Sequence, residues 1–263
     1  MSGGVTPGVE PMLLPQGDGQ LFAVRHRTAT PPRARVLLCP PLLQEQIRSY
    51  RFFAQLANQW ARRGIEVVRF DYSGTGDSSG SGVEFSIDRA IEDIRRVWEA
   101  LIAAEDGVPR VLCGVRMGAL LAALAIRNGL DADIAWWWQP VLSGATWVEE
   151  TSTIDTRERQ SRSRFPLKPA PAAITGELMG HVIDPRLPAA LKQLQWPDVS
   201  RPSMWLLDSE HALEPRMDTD DVVRLPLAFD TWAGQVDFET IIPVRLADTA
   251  SERLIARLPG VAA

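Results

Sequence analysis

At Gly114-Val115-Arg116-Met117-Gly118, the apolar run Arg110 to Cys113 passes through a G-x-X-x-G turn into the small-residue stretch Met117 to Arg127. Strand, tight turn and helix in that order present the central side chain above a sheet edge, and the flanking glycines let helix and strand approach. A serine or cysteine at the centre acts as a nucleophile, whereas the guanidinium of Arg116 stays protonated and does not attack a carbonyl. Its chemistry is electrostatic. It sits over a helix N-terminus, where free amides already favour an anion, and it adds a bidentate fork for carboxylate, phosphate or sulfate. Two readings of Arg116 follow. It clamps a small anionic ligand, or it pairs internally with Glu45, Asp208 or Glu210, because buried arginine nearly always has a carboxylate partner.

The other parts of a serine-type site are altered as well. The segment Trp232 to Glu239 holds no histidine where a triad base is needed. His26, His181 and His211 read as surface or packing residues, with His211 near the position of a triad acid. Oxyanion donors are expected from the amide of Met117 and from the loop after Cys39. Pro40 and Pro41 have no amide hydrogen, which leaves Leu42 as the donor, and losing one such donor costs about 10²–10³ in rate. Cys39 at the sheet edge is either a thiol nucleophile promoted by Arg116 or a small buried hydrophobe, and Cys113 is packing. Nothing points to a metal or an organic cofactor.

These residues need a scaffold. With 263 residues, 45% hydrophobic, the chain is long enough for one large core, so a single domain is expected. Val36 to Cys39, Ile65 to Phe70, Arg110 to Cys113 and Ile134 to Trp138 read as buried parallel strands. They alternate with helices over about Arg48 to Arg63, over Ile87 to Leu101 with 3.6-residue spacing, and over Met117 to Arg127. Met12 to Leu14 and Leu21 to Val24 flank a turn and form a hairpin, and residues 1–11 are expected to be mobile. From about 145 to 202 the pattern breaks into a polar, Arg- and Pro-rich segment that reads as an inserted cap. Met204 to Leu207, then Leu225 to Phe229, resume the strands, and Ile241 to Leu258 closes as a helix.

Mixed charge with a net of -5 argues against nucleic acid. The absence of a basic-plus-apolar leader or of a span of about 20 apolar residues predicts a soluble, cytoplasmic protein without a transmembrane segment. Two cysteines suit a reducing compartment. Among nine tryptophans, Trp136-Trp137-Trp138 form either core or an aromatic patch for a protein partner or a glycan, and a homo-oligomer is open. Arg157, Arg159, Arg162, Arg164 and Lys168 read as a solvated cap face.

Asp71-Tyr72-Ser73-Gly74-Thr75-Gly76-Asp77-Ser78 is similar to the D-x-x-G-x-G-x-S loop of serine-aminopeptidase-type α/β hydrolases, and with the turn at Arg116 it marks a resemblance running from about Val36 to Trp138. Gly114 to Ala122, then Trp138-Gln139-Pro140-Val141-Leu142-Ser143-Gly144, resembles the type two exosortase A system-associated hydrolases, which also carry Arg at the elbow. Gly176 to His181 is similar too, with His181 in place of the usual aromatic. The resemblance implies an α/β-hydrolase fold, a mostly parallel sheet with helices on both faces and an inserted cap, in a bacterial protein linked to exopolysaccharide production. The expected pocket lies under the cap, lined by Cys39, Leu42, Arg116, Met117 and Gln139. The function expected is that of a degenerate hydrolase binding an anionic acyl or glycosyl compound. An active ester or thioester hydrolase with non-standard residues and a non-catalytic partner-binding protein are the alternatives.

Overall fold

The computed structural model describes residues 8–103, 106–161, 175–208, 221–225, 232 and 244–258. The strands among them are β1 (Gly8–Gln16), β2 (Gly19–Arg27), β3 (Ala34–Cys39), β4 (Ile65–Phe70), β5 (Arg110–Val115), β6 (Ile134–Trp138), β7 (Glu177–Leu178), β8 (His181–Val182), β9 (Ser203–Leu207) and β10 (Val222–Arg224). Helices are α1 (Leu43–Arg62), α2 (Ile87–Leu101), α3 (Met117–Arg127), α4 (Gly144–Ser161), α5 (Leu187–Lys192) and α6 (Val244–Ile255), with a short 3₁₀ turn at Gly82–Glu84. All strands except the small β7-β8 hairpin join one sheet in the order β1-β2-β4-β3-β5-β6-β9-β10. The pairings from β4 to β10 are parallel, and β1-β2 adds an antiparallel edge.

Every residue of β3 and β4 is buried, the expected state of strands covered on both faces. Alternation then sorts the side chains. Val36 and Leu38 pack with Phe52, Phe53 and Trp60 of α1 and Leu254 of α6, while Leu37 and Cys39 pack with Ile94 of α2 and Leu120 of α3. Trp136 and Trp138 join the first group and Trp137 the second. All three are at most 1% exposed, so they form core and not an aromatic docking patch. Each such side chain contributes roughly 1.5–3 kcal/mol by burial.

Four sequence expectations are corrected. The hairpin begins at Gly8, inside the stretch expected to be mobile, because a continuous register from Gly8↔Arg27 to Gln16↔Gly19 ties it to β2. Helix α1 starts at Leu43, ahead of Arg48, because polar Glu45, Gln46 and Ser49 in its first turns are buried and give no apolar period to read. The last sheet strand among the described residues is Val222–Arg224, three residues before the expected start, with Val222 paired to Trp205; positions 226–229 lie outside the described residues. The closing helix ends at Ile255, three residues before Leu258, and positions 241–243 lie outside the described residues. The region between β6 and β9 holds α4, β7-β8 and α5. No helix among the described residues is long and apolar enough to cross a membrane.

Candidate functional site

Parallel register brings the strand ends level: Cys39 lies beside Gly114, Val115 beside Trp138, and Trp138 beside Leu206. The loops leaving this edge carry Leu42, Arg116, Gln139 and Asp208, so residues far apart in sequence meet there. Three non-glycine residues on it have left-handed backbone: Leu43 (φ 54), Arg116 (φ 53) and Gln139 (φ 41). Such conformations cost about 1–3 kcal/mol each and collect where a fold holds side chains for a task.

The turn at Arg116 has φ 53 and ψ -123. A Cβ on Gly114 would lie 2.4 Å from the Cα of Ala119, and one on Gly118 would lie 2.1 Å from the carbonyl oxygen of Pro40. Both glycines are therefore needed for close approach, as their spacing predicts. The Arg116 amide donates to the Trp138 carbonyl at 3.0 Å, which locks the turn to β6.

Arg116 is paired internally. Its Nη2 and Nε donate to Glu45 Oε1 at 3.2 and 3.4 Å, and Nη1 donates to the Gln139 carbonyl at 3.3 Å. The Trp147 indole N–H reaches the same Glu45 oxygen at 3.1 Å, while Glu45 Oε2 is buried without a hydrogen-bond partner. Trp232 stands 5.8 Å from the guanidinium carbon, within cation–π range. Of the three candidate partners, Glu45 takes the arginine. Asp208 instead accepts from Gln139 Nε2 at 2.6 Å, and Gln139 Oε1 accepts from Trp232 Nε1 at 2.5 Å. Glu210 and His211 lie outside the described residues.

Cys39 is fully buried, and burial, with a smaller contribution from Cys113, pushes its thiol well above the ordinary range. Burial thus disfavours a thiolate at Cys39, and Cys113 is pushed up by burial as well. Neither cysteine should react with a mild alkylating or disulfide reagent in the native protein, and both should react after unfolding; a native count of one would overturn this.

Of the residues expected to line a pocket over Arg116, Leu42 lines a cavity of the described residues that lies to one side of it. The cavity, of about 670 Å³, opens beside the elbow, between α1, the Asp71–Asp77 loop, β7-β8 and α5. Leu42 lines it, whereas Cys39 and Met117 (0% exposed) and Gln139 (2%) are packed into the core or the sheet edge. Trp147 stands between the cavity, which it lines, and Glu45, to which it donates.

Sequence reasoning did not single out Gln46 or Trp147, and it named Asp71 as the first residue of a glycine-rich loop without a role for its carboxylate. The Asp71 motif is largely a self-closing loop. Asp71 accepts from Gln46 Nε2 and the Asp77 amide, each at 3.0 Å, and Ser78 Oγ donates to the Asp71 carbonyl at 2.6 Å while accepting from the Phe22 amide. Burial pushes the Asp71 carboxyl up. The histidines divide. His26 is buried, accepts from Arg69 Nε and sits 2.8 Å from Asn58 Oδ1, a neutral packing role, whereas His181 lines the cavity and is held low by burial. On α4, Arg159 is paired with Asp155 and Glu177.

A family model described as serine aminopeptidase, S33, matches residues 30–155, the half that carries the Asp71 loop and the Arg116 turn. No curated protein matches the sequence significantly. Solved structures with the same arrangement include a putative hydrolase from Agrobacterium vitis (18% identity, TM-score 0.56, 97% of this chain and 100% of that one). An a/b serine hydrolase without lid from Xanthomonas campestris is similar at 15% identity and TM-score 0.59, over 99% and 100% of the two chains. The chain has the α/β-hydrolase fold. Ferulic-acid-bound Est1E from Butyrivibrio proteoclasticus superposes on this α/β-hydrolase-fold protein with TM-score 0.61 at 13% identity, covering 94% of this chain and 98% of that one. Identities this low establish the fold and no reaction.

Proposed function

We propose that this α/β-hydrolase-fold protein binds an anionic acyl or glycosyl compound without hydrolysing it. In this reading Arg116 occupies the place of a nucleophile, and residues of about 145–202 act as a cap. The observation that carries the reading is Arg116 itself, held with φ 53 between β5 and α3 where an attacking side chain would stand. The lack of histidine from Trp232 to Glu239 supports it.

The quality of the Arg116–Glu45 pair supports a clamp. Elsewhere, Arg35 forks onto both oxygens of Asp106 at 2.8 and 2.6 Å. Arg116 meets a single oxygen at longer range, and its side chain keeps 18% exposure. A ligand carboxylate or phosphate offering two oxygens forms the stronger bidentate contact and takes the place of Glu45. In the same proposal that compound belongs to exopolysaccharide or envelope metabolism in a bacterial cytoplasm, a reading supported by the likeness of Gly114 to Ala122 and of Trp138 to Gly144 to exosortase-associated proteins.

Incubating the wild type, Arg116→Ser and Arg116→Ala with acyl esters, thioesters and a fluorophosphonate probe tests the non-hydrolytic part. No turnover or labelling is expected in any of the three, because the segment Trp232 to Glu239 offers a serine at 116 no histidine to take its proton. Turnover by wild type that both variants lose would make Arg116 part of a mechanism and overturn the reading.

A further inference from the structure

The cavity beside the elbow is a second feature, separate from Arg116: none of residues 114–118 lines it. Most of its wall is apolar, with Leu42, Phe85, Trp147, Leu178, Ile183 and Leu187 contributing, and its volume of about 670 Å³ falls among small-molecule sites. Its polar groups gather on the Asp71 loop and the facing turn of α1. Asp71 and Gln46 are 4% and 8% exposed, and the two Asp71 oxygens accept one protein donor each, which leaves acceptor capacity on both. The lining carries the carboxylates of Asp71 and Asp77 against a single arginine, Arg51, so it disfavours an anionic head group. Burial keeps the His181 ring from offsetting this with a charge of its own.

An independent observation concerns the mouth. Of six large hydrophobic side chains exposed among the described residues, Ile47, Tyr50 and Val182 line this cavity, and Val83 follows Gly82, which also lines it. Ile47 and Val182 are 59% and 65% exposed. The exposed apolar surface is thus concentrated around one opening, the arrangement of a site that admits an apolar molecule.

We propose that this cavity binds a single-chain, uncharged lipid with a hydroxyl head group, the hydroxyl donating to Asp71 and the chain lying along Leu178, Ile183 and Leu187 after entry past Ile47 and Val182. The site goes beyond the Arg116 reading and stands if that reading fails.

The test titrates the full-length protein with the uncharged fluorophore N-phenyl-1-naphthylamine and displaces it with dodecan-1-ol or dodecanoate at pH 7.5. Saturable binding of one probe per chain is expected, with dodecan-1-ol the better competitor by about tenfold or more. The double variant Ile47→Glu, Val182→Glu changes exposed side chains that the fold does not need and should weaken the probe by about tenfold or more, while circular dichroism stays unchanged. Asp71→Asn, in which a carboxylate becomes an amide, should erase the preference for the alcohol over the carboxylate. Arg116→Ala should leave probe affinity within about twofold, which separates this site from the elbow. Absence of saturable binding, indifference to the double variant, tighter binding of dodecanoate, or loss of binding in Arg116→Ala would each overturn the proposal.

Discussion

Gly118→Ala is expected to destabilise the protein by about 3 kcal/mol or more, the upper part of the range for forcing volume into a packed interior. The added Cβ would meet the carbonyl oxygens of Pro40 at 2.1 Å and Cys39 at 2.6 Å, both of them backbone. No flexible side chain is available to move aside. Relief requires α3 to withdraw from the loop after β3, and that loop is joined to Tyr72, whose hydroxyl donates to the Pro40 carbonyl at 3.3 Å. For a chain of this size the change corresponds to a fall in Tm of about 6–12 °C. Thermal unfolding followed by circular dichroism checks it, and an unchanged midpoint would mean that the contact between α3 and the Pro40 segment is looser than described.

The second large effect is expected at Glu45. Glu45→Ala strands the Arg116 guanidinium at 18% exposure without its carboxylate and removes the acceptor of the Trp147 indole N–H. Breaking a buried pair from one side costs about 3–5 kcal/mol, and a loss near the lower figure is expected because Arg116 keeps the Gln139 carbonyl. Glu45→Gln isolates the charge, since an amide oxygen still accepts from both donors. If Arg116 is an anion clamp, Glu45→Gln should gain stability from sulfate or an acyl phosphate where wild type gains little, by about 2.7 kcal/mol at a hundred times the dissociation constant. A Tm titration against each anion reads this directly. Equal responses in variant and wild type would leave Arg116 as a structural partner of Glu45 and nothing more.

The scaffold and the elbow were legible from short-range patterns, because buried parallel strands are continuous apolar runs and a close helix–strand approach demands glycine at fixed spacing. Val36 to Cys39 and Gly114 to Gly118 are examples. The choice among Glu45, Asp208 and Glu210 was not legible, since Glu45 stands in the first turn of α1, Asp208 follows β9 and Glu210 lies outside the described residues, and only the hydrogen bond from Gln139 shows that Asp208 is already engaged. The first turn of α1 escaped for a related reason. Its buried face is polar, with Glu45 serving Arg116 and Gln46 serving Asp71, so the usual apolar period begins only at Phe52. The cavity could not be located because its walls include β7-β8 and α5, short elements whose docking no periodicity announces. Trp147 left one faint signal: an indole N–H on a polar helix requires a buried acceptor.

The backbone at position 116 is held by Gly114, Gly118, the hydrogen bond from its own amide to Trp138 and those its carbonyl accepts from the amides of Ala119 and Val141, all of them features independent of which side chain stands there. Position 116 is in effect a socket. Whatever residue is installed there will be presented at the same point above the sheet, so an introduced thiol, imidazole or synthetic side chain would inherit a defined pose, and the scaffold offers a place to build chemistry that this sequence does not itself encode.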